Sequence, residues 1–186
     1  MPMLGIMASS ITGGLSTASY ESIASATGTG ASATITFSSI PQTYKALQIR
    51  GLFRTTTAGV GQGSLQIRAN GDSSAIYSRH FLDNISPYGA ASATLIVTSF
   101  GNVPLAGHTA GFMGAGIIDV QNYASTTQYK TFRYSTSLLI PASVLTNNIG
   151  SGSYQTTTAI TSISLIDDSG GSWATTTQFA LYGIKG

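Results

Sequence analysis

From Ser19 to its last residue the chain alternates. Ala33-Thr34-Ile35-Thr36-Phe37, Leu47-Gln48-Ile49-Arg50, Leu65-Gln66-Ile67-Arg68, Ile160-Thr161-Ser162-Ile163-Ser164-Leu165 and Gln178-Phe179-Ala180-Leu181-Tyr182 each switch between core-forming and small or polar side chains. A period of two puts one set of side chains into a core and the other outside it, which is the pattern of half-buried strands. Thr, Ile, Val, Tyr and Phe suit that pleated surface. Further strands are expected at 20–24, 76–82, 94–100, 112–121, 129–139 and 153–157. No window carries a helical period of useful length, and at most one helical turn is expected near 141–145.

Turn signals separate these stretches at fairly even spacing: Thr27-Gly28-Thr29-Gly30, the glycine-rich 59–63, Asn70-Gly71-Asp72, Asn147-Asn148-Ile149-Gly150 and Asp167-Asp168-Ser169-Gly170-Gly171. Ten or so short strands so punctuated predict an all-β sandwich or barrel. No repeat of fixed period appears, which argues against a solenoid. The Thr-Thr-Thr runs at 55–57, 156–158 and 175–177 are therefore read as exposed edges or loops.

Charge is scarce. Only 8% of the 186 residues are charged, about a third of what a globular domain carries, while 42% are hydrophobic. The chain is thus long and apolar enough for one well-buried domain, placed at 19–186. Its 26 Ser, 25 Thr and 22 Gly are small residues that lose little side-chain entropy when covered. A weakly charged surface packs against copies of itself or a partner with little desolvation cost, whereas lone soluble domains carry more surface charge. Much of this surface is therefore expected to be covered in the working state. The eight cations are scattered, which argues against nucleic-acid binding. No apolar run approaches a membrane span.

Catalytic chemistry is hard to assemble from what remains. No Cys is present, so disulfides and cysteine-based zinc or iron–sulfur sites are excluded. His80 and His108 are read as structural, and no Gly-x-Ser-x-Gly elbow accompanies them. Six scattered acids mark no facing pair of the kind a glycosidase needs. The glycine-rich stretch at 59–63 leads into a strand, so it is not a phosphate-binding loop opening a helix. The expectation is a protein that is not an enzyme and uses no cofactor or metal. Trp173, in a loop of small residues, is read first as a core or interface anchor and second as a platform for stacking on a sugar ring.

Residues 1–18 differ in kind: they are uncharged, broken by Gly13-Gly14, and dotted with Met3, Leu4, Ile6, Met7 and Ile11. Termini commonly lack fixed structure. These apolar residues supply the alternative, an extended N-terminal arm that buries them against a neighbour, and they are the expected partner contacts.

An ordered set of segments resembles a family of bacteriophage virion proteins that includes decoration (cement) and tail-fibre proteins. The segments are Tyr20-Glu21-Ser22-Ile23-Ala24, Ile35-Thr36-Phe37-Ser38-Ser39-Ile40-Pro41-Gln42-Thr43-Tyr44, Ile67-Arg68-Ala69-Asn70-Gly71-Asp72 with Tyr77, Asn122-Tyr123-Ala124-Ser125-Thr126-Thr127, Ala159-Ile160-Thr161-Ser162-Ile163-Ser164-Leu165, and Phe179-Ala180-Leu181-Tyr182-Gly183-Ile184. The resemblance implies a jelly-roll β-sandwich, a homotrimer, and a place on the outer surface of the capsid against the phage major capsid protein. It carries no catalytic motif. The alternative within the same family is a tail-fibre or baseplate adhesin that binds host-surface glycans, with Trp173 as the stacking group.

Overall fold

The computed structural model describes residues 19–83, 99–140 and 144–186. Among them there is no helix; eleven strands form two antiparallel sheets. The strands are β1 (Tyr20–Thr27), β2 (Thr34–Phe37), β3 (Ala46–Phe53), β4 (Gln62–Ala69), β5 (Tyr77–Asp83), β6 (Ser99–Pro104), β7 (Gly114–Gln121), β8 (Lys130–Ile140), β9 (Val144–Tyr154), β10 (Ile163–Asp167) and β11 (Gln178–Ile184). One sheet has seven strands in the order β1-β11-β3-β7-β8-β9-β5, and the other has four in the order β2-β10-β4-β6. The chain changes sheet at nearly every step and stays in one sheet only through β7, β8 and β9. Phe37, Leu65, Ile67, Phe100, Val103, Ile163 and Leu165 of the small sheet join Leu47, Ile49, Phe53, Ile118, Val120, Phe132, Phe179 and Leu181 of the large one in a single buried cluster. The expected all-β sandwich is therefore present. The proposed arm, with Met3, Leu4, Ile6, Met7 and Ile11, lies outside the described residues.

One end of the sandwich is tied by three of the segments singled out in the sequence. Tyr123 is fully buried; its hydroxyl donates to the Pro41 carbonyl and accepts from the Tyr44 amide at 3.2 Å. The Ile160 amide donates to the Tyr123 carbonyl at 2.7 Å, and Gln42 Nε2 bridges the carbonyls of Ile40 and Ile160 at 2.8 and 2.9 Å. Asn70 and Gly71 both sit at positive φ, 54° and 70°, in the tight turn after β4 that the Asp72 amide closes on the Ala69 carbonyl at 2.9 Å before the chain crosses to β5 in the other sheet. The Asn70 side chain does more than turn the chain. It donates to the Ala159 carbonyl and accepts from the Thr161 and Ser162 amides. Asn70→Ala removes all three bonds and the left-handed tolerance together, and is expected to cost about 2 kcal/mol. Chemical denaturation checks it, and a loss below a few tenths would contradict the assignment.

Three expectations need correction. Asn147-Asn148-Ile149-Gly150 is no turn; it runs through the middle of β9, paired with Ser137 to Tyr134 on one side and, from Asn148 on, with Asp83 to Phe81 on the other. Glycine is needed there because the Tyr134 ring lies over it: a Cβ at Gly150 would stand 2.4 Å from the tyrosine oxygen. Of the strand expected at 153–157, only 153–154 are strand, as the end of this longer one; 155–157 lie beyond it. The Thr runs are not uniformly exposed either. Thr55 and Thr177 are fully buried; the Thr177 hydroxyl donates to the Arg54 carbonyl at 2.9 Å and accepts from the Arg54 amide at 3.0 Å.

Candidate functional site

The outward face of the seven-stranded sheet carries exposed apolar side chains in register. Register aligns one cross-strand row over all seven strands: Ser25, Ala180, Arg50, Ile117, Ser135, Ile149 and Leu82. Ile117, Ile149 and Leu82 are 44%, 57% and 64% exposed, and Leu52, diagonal to Ile117, is 52% exposed. Scattered single apolar residues need no account, but a row of them on one face marks a surface that meets something. Outward positions of this sheet carry only three charged side chains, Arg50, Asp119 and Arg133. The low charge of the chain is therefore concentrated in its effect on this face.

Over that row lies an open trough of about 650 Å³. Ser25, Ala115, Ser135 and Ala180 keep its floor shallow, and Arg50, Leu52 and Ile117 rise beside it. Arg50 is held on three sides. Its guanidinium carbon stands 5.1 Å from the ring centre of Tyr20 and 5.3 Å from that of Tyr182, within cation–π range. Its Nε donates to Gln48 Oε1 at 2.6 Å, and Gln48 Nε2 donates in turn to Asp119 Oδ1 at 2.7 Å. Four strands, β1, β11, β3 and β7, thus fix one exposed guanidinium. Its two terminal amino groups have no hydrogen-bond partner among the described residues.

Of the other residues picked out in the sequence, Trp173, His108 and Asp167 are built into the fold. Trp173 is fully buried, so it offers no face to a sugar and the stacking expectation fails. The loop around it folds inward because the indole Nε1 finds the Leu165 carbonyl at 3.1 Å and the ring finds Phe53 and Phe179. His108 is buried, and its Nε2 binds the backbone of Gly61, pinning the glycine-rich loop 59–63. Arg54 gathers the same region, donating to the carbonyls of Ala106, His108, Thr109 and Phe112. His80 is exposed on the edge strand β5. Asp167 is buried and clamped by the Thr55 hydroxyl and by the amide and hydroxyl of Ser169. Lys130 is fully buried with its ammonium on the carbonyls of Ser125, Gln128 and Thr156. Among the described residues no three His, Cys, Asp or Glu side chains converge, and no helix is long and apolar enough to cross a membrane.

Comparison with protein-family models, with curated proteins and with solved structures gave no match.

Proposed function

We propose that this chain is a bacteriophage virion protein that decorates the outside of the capsid, binding the assembled shell and stabilising it without catalysis. The observation that carries this reading is the outward face of the large sheet, where an apolar cross-strand row is set in a surface with three charges. A protein that binds only the assembled shell stabilises it by mass action. A specific contact of this kind buries on the order of 1,600 Å², and a flat, weakly charged sheet face can supply its share. The strand order supports a jelly-roll reading: with β5 and the β8–β9 hairpin set aside as additions, β1-β11-β3-β7 faces β2-β10-β4-β6. The homotrimer and the major capsid protein as partner come from the family resemblance, and the segment 1–18 is proposed as a further part of the contact. The adhesin alternative loses its support with the burial of Trp173.

Copy number per purified virion, measured against the major capsid protein by quantitative mass spectrometry, tests the reading. A ratio within a few-fold of the capsid protein is expected; a handful of copies would overturn it in favour of a tail or vertex position. Ile149→Lys places a charge in the centre of the row. It is expected to lower shell occupancy at least ten-fold, about 1.4 kcal/mol, with an unchanged melting temperature. Undiminished occupancy would remove this face from the contact.

A further inference from the structure

The trough over the apolar row is lined by Arg50, Leu52 and Ile117. We propose that it binds an extended acidic segment of the partner protein, with a carboxylate on Arg50 and flanking small or apolar side chains against Leu52 and Ile117. The partner's place on the shell rests on the decoration reading; the ligand chemistry does not.

The argument begins with the side chain. A free surface arginine samples many rotamers, and ordering it opposes binding. Here the ordering is already done: Tyr20 and Tyr182 each stand within cation–π distance of the guanidinium, and Gln48 holds Nε. Gln48 is itself 7% exposed and anchored to Asp119, so the holder is rigid. With Nε occupied, the two terminal amino groups remain, in a planar fork that matches the two oxygens of a carboxylate. Asp119 does not fill that role, because its hydrogen bond is to the Gln48 amide rather than to the guanidinium. The face as a whole carries Arg50 and Arg133 against Asp119, which favours an anionic visitor.

The trough selects the rest of the ligand. Its floor is small: Ser25, Ala115, Ser135 and Ala180 let an incoming chain approach the sheet closely. Leu52 and Ile117 give apolar contact on either side of the charge. The rings of Tyr20 and Tyr182 are engaged by the guanidinium, and Phe179 is buried, so no free aromatic face is offered to a sugar. A peptide carboxylate fits this better than an acidic saccharide.

The test uses the full chain and its Arg50→Gln and Arg50→Lys variants. Each is panned against a display library of random peptides, and in parallel against an array of uronate- and sialate-bearing oligosaccharides. Wild-type protein is expected to enrich peptides with Asp or Glu at one fixed position beside small or apolar residues. Arg50→Gln is expected to abolish that enrichment and to weaken the best peptide at least ten-fold. Arg50→Lys, which keeps the charge and loses the fork, is expected to fall between them. Circular dichroism melting of all three chains shows whether the fold is kept. No acidic preference, or the same preference in folded Arg50→Gln, would overturn the proposal. So would Arg50-dependent binding to the acidic oligosaccharides alone, which would assign the trough to glycans. A shell copy number that fails the decoration reading leaves the peptide result standing, and the reverse holds too.

Discussion

Trp173→Ala is expected to destabilise the fold by about 3–5 kcal/mol, the range for emptying a buried aromatic site. The indole has no exposed surface, and its ring meets Phe179 edge-on at 5.2 Å and Phe53 at 6.4 Å. Phe53 and Phe179 stack on each other at 5.7 Å, so the three rings form one unit and the cavity cannot close by moving a single neighbour. The substitution also leaves the Leu165 carbonyl without its indole partner. The Trp173 backbone meanwhile joins distant loops, donating to the Ser32 carbonyl at 2.9 Å and accepting from the Gly30 amide at 2.8 Å. Against a total stability of roughly 5–15 kcal/mol, such a loss leaves a marginal protein. Urea denaturation of wild type and variant measures it, and a loss under about 1 kcal/mol would mean that the site collapses, contrary to the packing described. Trp173→Phe keeps a ring and loses the hydrogen bond, and is expected to cost about 1–2 kcal/mol. As the single tryptophan of the chain, Trp173 also reports its own burial in the wild type through its fluorescence.

How much of this was legible in the sequence differs between levels. Alternation located β2, β3, β10 and β11 because each buries one face under the opposing sheet, and the period of two is then written locally. The Asn70-Gly71 turn was equally local, since positive φ at two successive residues has a narrow chemistry. The middle of β9 was misread because the reason for its glycines is not local. Gly150 and Gly152 are small to make room for Tyr134 and Phe100, which belong to other strands. Trp173, read first as a core or interface anchor, lies in the core, but what encloses it is not local either: the loop that holds it is made of small residues, and only the pairing of Thr55 with it and the arrival of Phe53 and Phe179 enclose the ring. The Arg50 constellation was half visible. Gln48 and Arg50 share a face by alternation alone, but Tyr20, Tyr182 and Asp119 reach them only through the order β1-β11-β3-β7, in which the last strand of the chain sits beside the first. The outward apolar row was hidden likewise, because Leu82 looks like an ordinary strand residue and Ile149 like part of a turn until register aligns them with Ile117.

Alkaline pH is expected to unfold the protein steeply between about pH 10 and 12, through three tyrosines buried inside the sandwich. Tyr77 is fully buried, Tyr154 and Tyr134 nearly so, and Tyr77 and Tyr154 stack at 4.9 Å. Burial pushes the phenols of Tyr77 and Tyr134 up to about 12. Tyr154 is raised as well, first by burial and then by its hydrogen bond to the Asp72 carboxylate, at 3.0 Å. A phenol whose folded value lies above its unfolded value of about 10 favours the folded state in its neutral form. That contribution is complete below pH 10 and is lost as pH rises toward the folded value, at about 1.4 kcal/mol per pH unit for each group. Three such groups remove on the order of 4 kcal/mol per unit, enough to exhaust an ordinary domain within about two units. The measurement is a pH titration followed by circular dichroism and by phenolate absorbance. Tyr77, Tyr134 and Tyr154 are expected to ionise together with the loss of β structure. Smooth, independent ionisation of all the tyrosines with the fold intact would contradict this account. Tyr134→Phe separates burial from packing: its hydroxyl is buried with no hydrogen-bond partner, so removing it takes away one titrating group and one unmet donor. The variant should be no less stable at pH 7 and should unfold at higher pH than wild type, because one of the three proton-linked losses is gone.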